Sequence, residues 1–225
     1  MWFLLCICVI PIAIAYFKAR KIRSSKICKH FRATKYIQYV LKQYFPRQSP
    51  SFVHAQVYCS VGLTCTLDDA IYLNCLEKPE YLDFALLHEL AHILNRDVPK
   101  RRYIAYTHML FTIMLTYWYE FSWWQSYCLF YVLGLLTSQY SWYGELRADA
   151  FAVSLIGSQS GESFFLDPVN CSSRVHSFFT HPPNSLRIAR LRKTPQTTYI
   201  TTYTNFIEND SNLESCAGNS ETPGN

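Results

Sequence analysis

The stretch His88-Glu89-Leu90-Ala91-His92 decides the fold of this chain of 225 residues. Two histidines four residues apart lie on one face of a helix, so both imidazoles reach a single metal ion and the glutamate projects beside them. The pattern favours zinc, which imidazole nitrogens bind at about 2.0–2.1 Å. Glu89 is then the candidate general base toward a water at the metal.

The motif lies in a helix that we predict from Pro79 to about Asn95. Proline suits the first position of a helix, and Glu80 and Asp83 place negative charge in the first turn, where the helix dipole favours it. Apolar residues flank the motif at helical spacing and predict burial in a core, as a rigid metal platform requires. They are Phe84, Leu86, Leu87, Leu90, Ile93 and Leu94.

A catalytic zinc site needs a third protein ligand and an open position for water. Glu145 is the candidate, because it opens a segment predicted to continue as a helix through Ile156. Asp149 lies one turn later on the same face, where a carboxylate can hold a ligating imidazole. Asp97, five residues after His92, is either a second such partner or an ordinary surface carboxylate. The predicted ligands of one zinc ion per chain are His88, His92 and Glu145.

The composition favours lipid contact, since 50% of the residues are hydrophobic and only 16% are charged, against roughly 25% charged in soluble domains. Residues 1–17 form an uncharged run that we predict to be a transmembrane anchor; a cleaved signal peptide would carry its positive charges before the run, not after it. Residues 18–50 are predicted to form a basic juxtamembrane helix that faces the cytoplasm. Nucleic acid is not expected as a partner, because the basic block has no second supporting feature.

Residues 103–143 form the most apolar long segment, with Glu120 as its only formally charged residue. Their number favours an inserted hairpin of two transmembrane helices, and the aromatic residues around Glu120 are typical of a membrane interface. A hairpin also returns the chain to the side on which it started, as a metal shared by His92 and Glu145 requires. The alternative is a pair of buried helices in a soluble domain.

The rest of the chain predicts a mainly helical α+β domain with a small sheet. Alternating polarity predicts a strand over residues 52–61, and a second short strand is predicted around 70–73, after the turn-like residues Asp68 and Asp69. Apolar residues at helical spacing over 37–45 predict an amphipathic helix. The zinc-binding domain is expected to cover residues 51–194, and the polar composition of residues 195–225 predicts a disordered tail.

Three blocks of sequence resemble a known family. They are the HELAH motif with Asp97 after it, the segment from Glu145 to Ala150 (ELRADA), and Thr180-His181-Pro182-Pro183 followed by residues 187–191 (RIARL). In this order they are similar to the signature blocks of the HtpX and CAAX-prenyl-endopeptidase family of membrane zinc metallopeptidases. The BlaR-type antirepressor sensors share a similar order. The usual Asn-Ala segment of the family is not found before the strand near Ile71.

The resemblance implies a zincin-like fold of the gluzincin type and a membrane-bound zinc endopeptidase that acts on membrane or membrane-proximal proteins or peptides. Glu89 would take the proton of the attacking water and pass it to the leaving amine. The third block is implied to lie near the metal, where His181 or Arg187 would stabilise the developing oxyanion. Together with the basic block, the resemblance predicts a multi-pass membrane protein whose active site faces the cytoplasm.

Two other functions remain open. One is a membrane sensor or scaffold whose zinc domain is catalytically silent, although such a protein has no need of the general base Glu89. The other is a soluble zinc enzyme that acts on a non-peptide substrate, which requires the apolar stretch to be a buried core.

Overall fold

The computed structural model describes residues 13–14, 16–24, 26–47, 52, 55–60, 64–67, 69–74, 79–167, 181–198 and 200–208. The described chain is mainly helical with one small sheet, as the predicted α+β class requires. The helices are α1 (Phe31–Tyr44), α2 (Pro79–Leu94), α3 (Asp97–Trp118), α4 (Trp123–Ile156), α5 (Ser158–Leu166) and α6 (Asn184–Leu191). The strands are β1 (Lys26–Lys29), β2 (Gln56–Ser60), β3 (Cys65–Leu67) and β4 (Ala70–Asn74). Residues 16–24 and 203–208 are also helical.

The sheet has the strand order β1-β2-β4-β3. The central strands β2 and β4 run parallel, with Val57 opposite Ile71, and both outer pairs are antiparallel. The alternating pattern over residues 52–61 correctly predicted a strand, which is shorter in the structure (β2), and the strand predicted around 70–73 is β4, whose three central residues are all buried. The sequence patterns missed β1, which lies within the basic block, and β3, which has three residues and is too short for a periodic signal.

Helix α1 covers the sheet with the apolar face that its spacing predicts. His30 caps its first turn, where the ring Nδ1 accepts a hydrogen bond from the backbone N–H of Ala33 at 3.3 Å. The residues of the buried face are Ala33, Tyr36, Ile37, Val40 and Leu41. Since α1 packs on both β2 and α2, it joins the sheet to the helix that carries the HELAH motif.

Helix α2 begins at Pro79 and ends at Leu94, close to the predicted bounds. Its apolar residues are almost completely buried, and it packs against α1, α4 and α5. The buried residues of α4 include Ala148, Ala152 and Val153, and small side chains let two helices approach closely. The motif therefore lies on a helix that neighbours hold on several sides.

Gly161 allows α5 to cross α2. A Cβ atom at this position would lie 2.7 Å from the ring of Phe84 and 3.0 Å from the side chain of Leu191. Glycine is unfavourable inside a helix, so its presence here is explained by the close approach.

The segment after α6 differs from the predicted tail. Ile200 and Tyr203 are buried against the core, and the backbone N–H of Thr197 donates to the oxygen of Ser154 at 3.0 Å. Asp83 of α2 accepts hydrogen bonds from the backbone N–H of Tyr203 and from the hydroxyl of Tyr36. Residues 195–198 and 200–208 are thus held by a few apolar side chains within a polar sequence, and the rest of the predicted tail, residues 209–225, lies outside the described residues.

Helices α3 and α4 form a hairpin over most of the predicted apolar segment. Glu120 takes a left-handed backbone conformation (φ 50°) in the turn, and Ser122 and Gln125 form a capping box at the start of α4. Within the described ranges, however, no helix combines the length and the apolarity needed to cross a membrane. The predicted transmembrane hairpin is therefore not supported. The anchor predicted for residues 1–17 falls mostly outside the described residues.

The hairpin has polar residues inside and apolar residues outside. Thr112, Thr116, Ser126 and Ser141 are buried, and the hydroxyl of Thr116 donates to that of Ser126 at 3.2 Å. Many large apolar or aromatic residues are exposed; among them are Tyr103, Leu110, Phe111, Met114, Tyr117, Trp118, Trp123, Trp124, Tyr131 and Leu136. The distribution is the reverse of that of a helical pair packed in water.

Candidate metal centre

Three side chains from two helices converge at one point. Helix α2 supplies His88 and His92, one turn apart, and α4 supplies Glu145. The two Nε2 atoms lie 3.1 Å apart. The Oε2 atom of Glu145 is 3.5 Å from His88 Nε2, and its Oε1 atom is 3.4 Å from His92 Nε2. All three residues are buried and form a group able to hold a metal ion.

This donor set fits zinc. Two imidazole nitrogens and one carboxylate oxygen are the protein ligands of one class of catalytic zinc site. Bonds of about 2.0–2.1 Å in a tetrahedron separate neighbouring ligand atoms by about 3.3 Å, close to the three distances above. The triangle therefore has the size that one zinc ion requires, and three protein ligands leave a fourth position open.

A carboxylate lies against the outer nitrogen of each histidine. Asp149 Oδ1 is 2.9 Å from His88 Nδ1, although the angle is not that of a hydrogen bond. Asp97 Oδ2 is 2.8 Å from His92 Nδ1. Carboxylates in these positions orient the rings and leave Nε2 for the metal. Asp97 is 1% exposed, which excludes the surface interpretation of this residue.

Three arginines compensate the buried carboxylates. Arg187 of α6 forms two hydrogen bonds with Asp149, at 2.7 and 2.6 Å, and its guanidinium lies 4.1 Å from the ring centre of Phe165. Arg147 donates to Asp97, and Arg101 donates to Glu145 at 2.7 Å. The site is thus a connected network, as buried charges require.

The pKa values follow from this network. Burial alone lowers the pKa of His88, but the carboxylates of Asp149 and Glu145 outweigh it and raise that pKa to about 9. Burial raises the pKa of Glu145, yet contacts with His181 and the two motif histidines hold it well below its usual range. Both shifts favour an ionised Glu145 facing a protonated His88 in the absence of metal, so a metal ion and protons compete for the histidine nitrogens.

Gly144 makes room for the network. A Cβ atom there would lie 3.2 Å from the guanidinium of Arg101 and 3.5 Å from Oδ2 of Asp97. The residue preceding the candidate third ligand is therefore small because two charged side chains from α3 pass over it.

Glu89 is buried, with 7% of its surface exposed. Its Oε2 atom accepts a hydrogen bond from the hydroxyl of Thr66 in β3 at 2.6 Å. Burial lowers the pKa of Arg187, but the carboxylates around it, Asp149 first and Glu89 among them, raise it above its usual value. The guanidinium therefore lies close enough to Glu89 to interact with it. The carboxylate predicted as general base is thus held by a hydrogen bond from the edge strand β3.

The described part of the third block, from His181 onward, lies beside the metal centre. His181 Nδ1 is 2.9 Å from Glu145 Oε2, and 47% of the His181 side chain is exposed. Arg187 lies 3.7 Å from the same oxygen, but only 9% of its side chain is exposed. Of the two candidates for oxyanion stabilisation, His181 is the one that a substrate can reach.

The structure brings every predicted site residue into one place. Sequence reasoning missed the contacts of Thr66, Arg101 and Arg147. These residues lie 23, 44 and 50 positions away in sequence from Glu89, Glu145 and Asp97, the residues they contact. No short motif links residues at such separations. For Arg147, its position inside the ELRADA block was the available signal.

Comparisons with known proteins agree with the motif blocks. The model of peptidase family M48 matches residues 60–195, which is more than half of the chain. Searches of curated proteins and of solved structures found no significant match.

Proposed function

The chain belongs to peptidase family M48, and from this premise we propose that it is a zinc-dependent endopeptidase that hydrolyses peptide bonds in proteins or peptides. The observation that carries the proposal is the buried triangle of His88, His92 and Glu145, with Glu89 adjacent to His88 on the same helix. When bound, zinc supplies a Lewis acid that lowers the pKa of water and polarises a carbonyl.

The chain's own residues supply the remaining chemistry. Glu89 takes the proton of the attacking water and delivers it to the leaving amine. Asp149 and Asp97 hold the two histidine rings in the orientation that directs Nε2 inward. The exposed ring of His181 is placed to donate a hydrogen bond to the carbonyl oxygen as its negative charge develops. Arg187 acts through Asp149, because the guanidinium is committed to that carboxylate.

This function is tested by measuring zinc content and peptide cleavage for the purified full chain, as wild type and as Glu89→Gln. We expect both proteins to bind about one zinc ion, and the variant to lose at least about 100-fold in kcat, because general-base catalysis contributes roughly that much. Glu162→Gln is the matched control, since Glu162 pairs with Arg192 away from the metal and 62% of the Arg192 side chain is exposed. Zinc binding without cleavage across a broad substrate panel would instead favour the sensor or scaffold.

We further propose that the α3–α4 hairpin contacts lipid and that the metal centre faces the cytoplasm. The support is the reversed polarity of the hairpin, because large apolar side chains face outward and small polar ones face the helix pair. Trp118, Trp123 and Trp124 at the tip suit a headgroup region. Lys100, Arg101 and Arg102 at the base add positive charge beside the metal centre, which favours its placement on the cytoplasmic side.

Quenching of tryptophan fluorescence by brominated lipid tests the contact. The full chain is reconstituted in vesicles with Trp2→Phe and Trp142→Phe, so that only the three tip tryptophans emit. We expect strong quenching and resistance to carbonate extraction. Complete release by carbonate together with unquenched fluorescence would favour the soluble alternative.

A further inference from the structure

Thr66 reaches the carboxylate of Glu89 from the edge strand β3. Its Oγ1 atom lies 2.6 Å from Glu89 Oε2 and 3.1 Å from the backbone oxygen of the same residue. A threonine hydroxyl has one proton to donate. Hydrogen bonds from a hydroxyl to a carboxylate are strong and have lengths of about 2.5–2.7 Å. The shorter contact, to the carboxylate, therefore takes the proton.

The position of this hydroxyl is fixed by the sheet. Thr66 lies opposite Ile71 of β4 in the antiparallel ladder, and Ile71 is 1% exposed. Threonine is branched at Cβ, which restricts its χ1 rotamer. The strand and the rotamer together hold Oγ1 against α2, so the sheet edge and the motif helix meet through this residue.

The contact distinguishes the two oxygens of Glu89. Oε2 is occupied by the hydroxyl of Thr66, whereas Oε1 makes no hydrogen bond to any residue in the described part of the chain. A free carboxylate rotates and exchanges its oxygens. A carboxylate fixed through one oxygen presents the other in a constant direction.

We propose that Thr66 is a positioning residue for Glu89: its hydroxyl fixes Oε2, so that Oε1 is the atom that receives the proton of water. This role rests on the proposed peptidase function. A general base must lie within hydrogen-bond reach of the proton that it takes, and small displacements of such a group cost activity. Thr66 contacts neither metal nor substrate in this role and acts through Glu89.

A comparison of Thr66→Val with Thr66→Ser separates the hydroxyl from the shape of the side chain. Valine keeps the branched shape and loses the donor, whereas serine keeps the donor. We expect Thr66→Val to lower kcat about tenfold, the effect of roughly one hydrogen bond, with KM within about twofold and zinc content unchanged. Thr66→Ser should stay within about threefold of wild type. Thr194→Val, which removes a hydroxyl bonded to the backbone oxygen of Arg190, is the matched control and should be neutral.

Three kinetic results would overturn the proposal. The first is wild-type kcat in Thr66→Val. The second is an equal loss in the serine and valine variants, which would indicate a role of the strand's packing alone. The third is a loss that appears in KM and leaves kcat unchanged, because a residue that positions the base changes turnover.

A measurement that does not need turnover tests the contact itself. Thermal unfolding of the zinc-loaded chain is compared for Thr66→Val in the wild-type background and in Glu89→Leu, with Glu89→Met as a second apolar background. We expect the valine substitution to lower Tm clearly in the wild type and by less than about a third of that amount without the carboxylate, because contacting residues are energetically coupled. Equal decreases in both backgrounds would refute the contact.

The two measurements separate the failure of this proposal from that of the proposed function. If the wild type cleaves no substrate while the coupling is present, the peptidase function fails, and the role of Thr66 in turnover fails with it. If the wild type cleaves and the coupling is absent, the peptidase function stands and Thr66 does not position Glu89.

Discussion

Asp83 shows how one buried carboxylate connects distant parts of the chain. It lies in the first turns of α2, and its Oδ1 atom accepts from the backbone N–H of Tyr203 and from the hydroxyl of Tyr36, 3.4 Å away. Burial raises its pKa, and the two donors only partly offset this shift. The fold therefore makes the ionised form of Asp83 less favourable than it is in the unfolded chain.

The sign of the resulting pH dependence is opposite to that of a salt-bridged carboxylate. Because the pKa of Asp83 is raised in the folded state, its contribution to stability is complete below the unfolded pKa of about 3.9 and is lost as the pH rises through the folded pKa. Asp83→Asn keeps an oxygen acceptor and removes the charge. We expect its Tm, measured by calorimetry, to exceed that of the wild type at pH 7 by more than at pH 5.

A Tm advantage that stays constant with pH would contradict this explanation, because it would not come from the titration of Asp83. Asp69→Asn serves as the control, since Asp69 is exposed in the turn before β4.

At the residue scale, site residues can be predicted from sequence where they lie within one or two helical turns of one another. His88, Glu89 and His92 follow from one helical turn, and the relation of Glu145 to Asp149 follows from another. The contact of Thr66 with Glu89 has no such spacing, because it depends on the register of β3 against β4. Arg101 likewise reaches Glu145 only because two helices lie side by side.

At the element scale, the predicted elements are those with a strong period. The apolar spacing gave α2 within about one residue and the second half of α1, which begins at Phe31, six residues before the predicted spacing, and alternation gave the strand that is β2. The single helix α4, which runs for 34 residues, was harder to foresee. The sequence patterns predict the apolar segment 103–143 and the ELRADA block as separate units, whereas one continuous helix contains the second half of the hairpin and the third ligand.

At Gly161 the crossing of α5 over α2 reverses the usual preference for alanine over glycine inside a helix. Alanine normally stabilises a helix relative to glycine by up to about 1 kcal/mol. At Gly161 we expect Gly161→Ala to destabilise the fold by about 1–3 kcal/mol, because the added methyl group overpacks the contact with Phe84 and Leu191. Chemical denaturation of the full chain in detergent measures the change.

Gly134→Ala is the matched comparison, because it also lies inside a helix. A Cβ atom there would meet its nearest neighbour, His108, at 3.7 Å, an ordinary contact. This variant should leave stability unchanged or raise it slightly. If both variants changed stability in the same direction, the crossing at Gly161 would not be the cause.

At the scale of the whole molecule, the metal centre joins parts of the chain that are far apart in sequence. Zinc ligands come from α2 and α4, and α6 is connected through Arg187 and Asp149. A ligand that binds only the folded state adds roughly 4 kcal/mol at a thousand times its Kd. For a chain of this size, we expect chelation to lower Tm by about 10 °C and re-addition of zinc to restore it.

Hydrogen exchange shows where this stability is lost. On chelation, amides of α4 after Glu145 and of α6 should lose protection, while those of β2 and β4 should change little. Glu145→Gln, which weakens the ligand set, should show a much smaller effect of the chelator. The same decrease in the variant and in the wild type would indicate that the chelated metal binds elsewhere.

The length of α4 gives it the mechanics of a lever. From Trp123 to Glu145 the helix extends about 33 Å, at 1.5 Å per residue, and its far end is clamped between α2 and α6. A sideways movement of about 5 Å at the tip turns such a rod by about 9°, which shifts a side chain near the fulcrum by about 1 Å. A shift of that size is enough to impair catalysis. Whatever anchors the tip of the hairpin therefore also limits how far the carboxylate of Glu145 can move from the metal centre.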